Sequence, residues 1–116
     1  MQHRREGRKF HRKKGQRVAF MRGLASNLIR SGRIETTEIR AKALRPMIEQ
    51  LITTARRGDL ASRRLVIARL ANAETARRLC EDIAPRYKDR PGGYTRIQKV
   101  MGFNDSSLSP TSFQLK

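Results

Sequence analysis

The sequence predicts an α+β domain in which several short helices pack on a small mixed β-sheet, behind an extended basic amino-terminal arm. Apolar residues recur at three- and four-residue spacing through the middle of the chain, which is typical of helices. Short β-branched or alternating segments lie after the first helical segment and near the carboxyl terminus. We therefore predict an arm at residues 1–15 and a single domain at residues 16–116.

Charge is the strongest global property of the chain. Its 116 residues carry 27 Lys and Arg against 10 Asp and Glu, a formal net charge of +17. Such a field attracts polyanions, which makes nucleic acid the first candidate partner and an anionic membrane surface the second. Most of the cations are arginine, whose planar guanidinium meets phosphate oxygens in pairs and stacks on bases. This bias favours nucleic acid.

The arm is the part of the sequence that most clearly indicates RNA binding. The first 17 residues hold eight basic side chains and one acidic one, with Phe10 as the only large apolar residue after Met1. A segment with so little to bury does not offset its own ordering entropy, so we expect it to be disordered until it binds RNA. A merely solubilising tail would not need so many charges of one sign.

The first predicted helix starts near Gln16 and ends at Gly32, a residue suited to a left-handed backbone. Residues 33–37, RIETT, are rich in β-branched side chains and form the first strand candidate. Two further strand candidates, residues 94–101 and 111–116, are expected to pair as a hairpin that residues 33–37 join. The register of that hairpin is left open.

Capping residues divide the middle of the chain into three more helices. Thr37 is the predicted cap of a helix whose apolar spacing continues in phase through Pro46, so we predict one kinked helix there. Asp59 and Asn72 are the predicted caps of the next two helices, the second of which stops at Pro85.

No local motif supplies catalytic or metal chemistry. His3 and His11 lie in the arm without a second cluster of ligands, and Cys80 falls on an apolar helical stripe. We therefore predict no enzyme activity, no cofactor, no metal and no small-molecule substrate. A single cysteine and the lack of a long apolar run favour a cytoplasmic protein without a membrane partner.

The segment RYKDRPGGYTRI, residues 86–97, poses a narrower question. Its glycine pair lacks the spacing of a phosphate-binding loop, and a strand candidate follows where such a loop needs a helix. We predict that Pro91-Gly92-Gly93 is a turn that leads into a strand, with Tyr94 and Arg96 facing RNA.

Four segments together resemble a known family. They are HRREGRKFHR (3–12), GRIETTEIRAKALRP (32–46), RRGDLASRRLV (56–66) and APRYKDRPGGYTRI (84–97). In this order they are similar to the bacterial large-subunit ribosomal protein family numbered seventeen. The resemblance implies a structural, non-catalytic constituent of the large subunit that binds its 23S-type rRNA on the solvent side, near the tunnel exit. Neighbouring large-subunit ribosomal proteins are its implied protein partners.

The resemblance assigns RNA contacts to the arm and to a helix-borne basic pair, and the charge pattern and the turn before Tyr94 add the rest. The residues predicted to bind RNA are Arg4, Arg5, Arg8, Lys9, Arg12, Lys13, Lys14, Arg17, Arg22, Arg63, Arg64, Tyr94, Arg96 and Lys99. Two other functions compete with this one: a general nucleic-acid-binding protein such as a DNA-compacting protein, and an RNA-modifying enzyme.

Overall fold

A computed structural model describes residues 14–100 and 111–116. Helix α1 (Lys14–Ser31) is followed by strand β1 (Arg33–Thr36), then by α2 (Glu38–Ala55), α3 (Leu60–Leu70) and α4 (Ala73–Arg78). A π-helical turn (Leu79–Ile83) and a 3-10 turn (Ala84–Tyr87) extend α4. Strands β2 (Thr95–Lys99) and β3 (Thr111–Leu115) complete the described chain. The predicted α+β class is confirmed.

The helix boundaries follow the predicted capping residues. The side chains of Thr37, Asp59 and Asn72 each accept a hydrogen bond from a backbone N–H in the first turn of the helix that follows. Helix α2 continues through Pro46 as one element. Pro85 does not stop α4 outright, because it lies inside the 3-10 turn that continues the helical path.

The three strands form a sheet in the order β1-β3-β2, and both pairings are antiparallel. The expected mixed sheet is therefore wrong in this detail: every described strand runs opposite to its neighbour. The hairpin register that the sequence left open pairs Thr95 with Leu115 and Lys99 with Thr111. Strand β3 occupies the centre, and its Phe113 is fully buried.

The core lies between the helices and one face of the sheet, and it is mainly aliphatic. Helix α2 supplies Leu44, Ile48, Leu51 and Ile52, which are at most 1% exposed. Aromatic burial is confined to Phe113, Tyr87 and Tyr94 among the described core residues. No helix in the described ranges is long and apolar enough to cross a membrane.

The first helix begins two residues before its predicted start near Gln16. Helix α1 begins at Lys14, so the last two residues assigned to the arm belong to the helix instead. Gly32 ends α1 with a φ of 81°, which confirms the predicted left-handed position. Residues 1–13 and 101–110 lie outside the described residues.

Candidate nucleic-acid interface

Most of the predicted arm contacts lie outside the described residues: Arg4, Arg5, Arg8, Lys9, Arg12 and Lys13. Their role in RNA binding stays a prediction. Lys14 is the first residue of α1, so the arm enters the domain at the amino-terminal end of that helix.

Arg17 and Arg22, both predicted to bind RNA, line one cavity between α1, α2 and α3. We call it the α1–α3 cavity; its volume is about 410 Å³ and it is lined by Arg17, Val18, Met21, Arg22, Ala43, Met47 and Arg69. The Nε atom of Arg22 donates to the backbone carbonyl of Arg69 at 3.0 Å, which joins α1 to the end of α3. Arg22 and Arg69, which are distant in sequence, are thus brought to the same cavity.

A second cavity lies farther along α2. We call it the α2–α3 cavity; its volume is about 520 Å³ and it is lined by Glu49, Gln50, Thr53, Thr54, Arg57, Leu65, Arg69, Pro91 and Gly92. Arg69 lines both cavities, so they adjoin across α3. We call the joint lining the groove surface. It runs from α1, where the arm enters, to the Pro-Gly-Gly turn.

Sequence reasoning missed Arg57 and Arg69 as candidate binding residues. The two cavities that these arginines line border a face of α2 that the sequence does display: Ala43, Met47, Gln50 and Thr54 recur at spacings of four and three residues. This stripe lies beside the buried stripe of α2. A second helical stripe of that kind was the sequence pattern from which the two cavities could have been predicted.

The predicted pair Arg63 and Arg64 is divided by the structure. Arg63 donates to Glu81 at 2.6 Å, across from α3 to the turn that follows α4. Arg64 is exposed, and the described residues offer it no ion-pair partner within 4 Å. Of the two, Arg64 is the side chain whose donors remain available for a phosphate.

Carboxylates neutralise the cations around α4. Arg77 bonds to Glu74 at 2.9 Å and to Glu81 at 3.2 Å, and Arg78 lies 3.7 Å from Asp82. The hydrogen bond from Arg63 lowers the pKa of Glu81, and the bond from Arg77 lowers the pKa of Glu74. We call this group, Arg63, Glu74, Arg77, Arg78, Glu81 and Asp82, the ion-paired face.

The prediction that Tyr94 faces RNA is wrong. Its side chain is fully buried, and its ring lies 5.2 Å from that of Tyr87 in an edge-on contact. Its hydroxyl accepts from Arg56 at 2.7 Å and lies 3.1 Å from the hydroxyl of Thr53. Arg56 also donates to the carbonyl of Lys88 at 2.9 Å. Tyr94 is therefore a core residue that fixes the end of α2 against the segment before β2.

The Pro-Gly-Gly segment is a turn, as predicted. Gly93 has a φ of 66°, a conformation that L side chains rarely adopt, and β2 rather than a helix follows it. Beyond the turn, the carboxylate of Glu49 accepts from the backbone N–H of Tyr94 at 3.4 Å and from the hydroxyl of Thr95 at 2.7 Å. The turn thus directs β2 onto α2.

Arg96 and Lys99 lie on opposite faces of the sheet, although both were predicted to bind RNA. Arg96 is level with Arg33 and Gln114, on the face that the helices leave open. Lys99 is three residues farther along and so points the other way, toward α2. Its charge there contributes to lowering the pKa of Glu38, whose closest cation is Lys42. The sheet therefore does not present these two cations side by side.

Comparison with known proteins decides the family. The model of the family described as ribosomal protein L17 matches residues 20–113. The chain is 50% identical to the large ribosomal subunit protein bL17 of Hydrogenobaculum over 86% of this chain and 85% of that protein. The Thermus thermophilus protein of the same name is 47% identical over the same shares. For the Bdellovibrio bacteriovorus protein the figures are 48% over 84% of this chain and 54% of the relative, so the chain spans about half of that protein.

The chain belongs to the ribosomal protein L17 family. L17 proteins are structural and non-catalytic, so the chain is a structural constituent of the bacterial large ribosomal subunit and binds rRNA in the cytoplasm as part of it. Membership confirms the resemblance seen in the sequence and excludes the competing RNA-modifying enzyme.

The described part of this L17 chain brings four arginines together in the groove surface and leaves Arg64 exposed. The residues that the structure describes hold no group of three His, Cys, Asp or Glu side chains placed to bind a metal ion. Cys80 is half-buried, and burial raises the pKa of its thiol, so its sulfur is the unreactive protonated form at neutral pH.

Proposed function

We propose that the chain holds separate segments of large-subunit rRNA in a fixed relation by two cationic regions: the arm at residues 1–13 and the groove surface. One observation carries the proposal. Arg69 lines both cavities, so cations at Arg17, Arg22, Arg57 and Arg69 adjoin one another from the arm's point of entry to the Pro-Gly-Gly turn. A surface of this kind can follow a phosphate backbone past the first contacts that the arm makes.

The mechanism is electrostatic and geometric. Arginine and lysine side chains neutralise phosphates and release the counterions condensed on the RNA, which supplies affinity. The arm orders when it binds, and the packed domain fixes the direction in which the arm leaves α1. The ion-paired face takes no part, because its guanidinium groups already donate to carboxylates of the same chain.

Contact with neighbouring large-subunit proteins is part of the same proposal. Ile39 and Leu60 are large aliphatic residues that are 58% and 62% exposed. Neither lines the groove surface. We expect a neighbouring protein to contact the chain through these two aliphatic residues. The cations of this chain do not attract a neighbour that is itself basic, so charge does not supply the contact.

A salt titration of rRNA binding tests both cationic regions. The affinity of the whole chain for large-subunit rRNA is measured at several salt concentrations, beside a deletion of residues 2–13 and an Arg57→Gln/Arg69→Gln variant. The deletion should reduce the slope of log K against log salt by about 4 to 5, because it removes six cations of the arm. The double variant should reduce it by about 1.5 to 2.

The matched control is Arg63→Gln/Arg77→Gln, which removes the same charge from the ion-paired face. Its slope should stay closer to that of the unaltered chain than the slope of Arg57→Gln/Arg69→Gln does. Equal slopes for the two double variants would show that total charge, not the groove surface, determines binding. An unchanged slope after deletion would refute the role of the arm.

A further inference from the structure

The α1–α3 cavity differs from an ordinary cationic surface in having an apolar floor. Val18, Met21, Ala43 and Met47 line it, and Val18 is 41% exposed although it is a large aliphatic residue. Its described lining contains no carboxylate, whereas the adjoining α2–α3 cavity includes Glu49. An apolar floor beneath arginines suits a ligand that is flat and apolar on one side and anionic at one edge.

We propose that the α1–α3 cavity receives one unpaired nucleotide of the rRNA, with its base against Met21 and Met47 and its phosphate at Arg22 and Arg69. The inference rests on the proposed function, since it assigns a particular nucleotide class to one part of the groove surface. It goes beyond that function because it requires an extruded base, whereas phosphate contacts alone would fit any RNA backbone.

The geometry favours a nucleotide over a paired RNA segment. A base inside an A-form helix is stacked and paired, so it does not reach a floor that lies between two helices of the protein. A volume of about 410 Å³ is in the range of sites that hold small ligands. Methionine thioethers make favourable contacts with aromatic rings and adapt their shape, which suits a base without requiring an aromatic partner.

Charge favours a nucleotide over an apolar segment of a neighbouring protein. The bond from Arg22 to the carbonyl of Arg69 holds one guanidinium beside the floor, and Arg69 itself is exposed. Each cation beside the floor would have to lose water when a neutral peptide covers it, at a cost in free energy. A phosphate instead gains charge-assisted hydrogen bonds at the same atoms.

Photo-crosslinking from the floor tests the inference. A diazirine-bearing aliphatic amino acid replaces Met47, and the variant is incorporated into large subunits, which are then irradiated. We expect an RNA adduct at one nucleotide that is unpaired in the rRNA. The same photoreactive residue at position 60 is the control, because Leu60 is exposed outside both cavities and should not give that adduct.

An adduct to a protein, adducts spread over paired nucleotides, or no adduct from fully incorporated chain would each overturn the inference. Incorporation is measured separately by co-sedimentation with large subunits, so a failure of rRNA binding itself is distinguishable from an empty cavity. As a second variant, Met47→Glu places a carboxylate in the floor. It should raise the reactivity of the crosslinked base toward a base-specific reagent several-fold, whereas Met47→Leu should not.

Discussion

Two regions of the molecule use arginine in opposite ways. Where α2 ends, Arg56 donates to the Tyr94 hydroxyl and to the Lys88 carbonyl, while the next residue, Arg57, is exposed and lines the α2–α3 cavity. On α3, Arg63 bonds to Glu81 while Arg64 is exposed. In each adjacent pair, the first arginine is anchored by hydrogen bonds to other groups of the protein, and the second is exposed and open to a partner.

The anchored arginines help a chain with a net charge of +17 to stay folded. Unpaired cations repel one another in the compact state, so a basic domain needs some of its arginines as internal connectors. The carboxylates near α4 serve that purpose for Arg63, Arg77 and Arg78. Among the described residues, no carboxylate lies within 4 Å of the guanidinium groups of Arg57 and Arg69 in the groove surface, which leaves their charge for RNA. Anchored arginines should therefore affect stability, and open arginines should affect affinity.

The largest expected effect is on stability, at Arg56. We predict that Arg56→Gln lowers the free energy of unfolding by about 2 to 3 kcal/mol, since the two charge-assisted hydrogen bonds to Tyr94 and Lys88 are lost. The guanidinium also lies 5.8 Å from the centre of the Tyr94 ring, a cation–π contact that glutamine does not replace. Urea unfolding measures the change.

Arg57→Gln is the matched control, one residue away with the same change of charge. Its free energy of unfolding should stay within about 0.5 kcal/mol of the unaltered chain. Equal losses at the two positions would mean that the anchored and open arginines are not distinct classes.

The next effect is on affinity, at Arg64. We predict that Arg64→Gln weakens rRNA binding about fivefold at 0.15 M salt and reduces the slope of log K against log salt by about 1, since one phosphate contact is lost. Arg63→Gln removes the same charge beside it but should have a smaller effect on both quantities, because Arg63 is already bonded to Glu81. Filter binding over a salt series compares them. If Arg63→Gln weakened rRNA binding more than Arg64→Gln does, Arg63 rather than Arg64 would be the residue that contacts the phosphate.

Local chemistry made much of the fold predictable. The capping positions Thr37, Asp59 and Asn72 were identifiable because a short polar side chain before an apolar periodic segment has a direct physical role. The strands were identifiable by their alternation or β-branching. The sheet order was not, because placing β3 between β1 and β2 depends on contacts distant in sequence, and no local pattern encodes them.

The interface was only partly predictable, for the same reason. An arginine's partner is usually distant in sequence, so Arg63 and Arg64 look alike until Glu81 is placed beside one of them. Tyr94 was predicted to face RNA because it follows a turn that leads into a strand beside several cations, but its ring packs in the core beside Tyr87. Arg96 and Lys99 could have been separated by strand parity alone, since they are three residues apart.

The smallest expected effect is the acid sensitivity of the ion-paired face. Hydrogen bonding from Arg63 and Arg77 lowers the pKa of Glu81 in the folded chain. The contribution of Glu81 to stability is therefore complete above its ordinary unfolded pKa of about 4.3 and disappears as the pH falls through the lower folded value. We predict that Glu81→Gln slightly lowers Tm at pH 6.5 and low salt. The gap in Tm between this variant and the unaltered chain should narrow at pH 3. Because the pair is exposed, added salt should narrow the gap as well. A gap that widens on acidification would contradict the linkage and would indicate that Glu81 is not the carboxylate that holds Arg63 away from RNA.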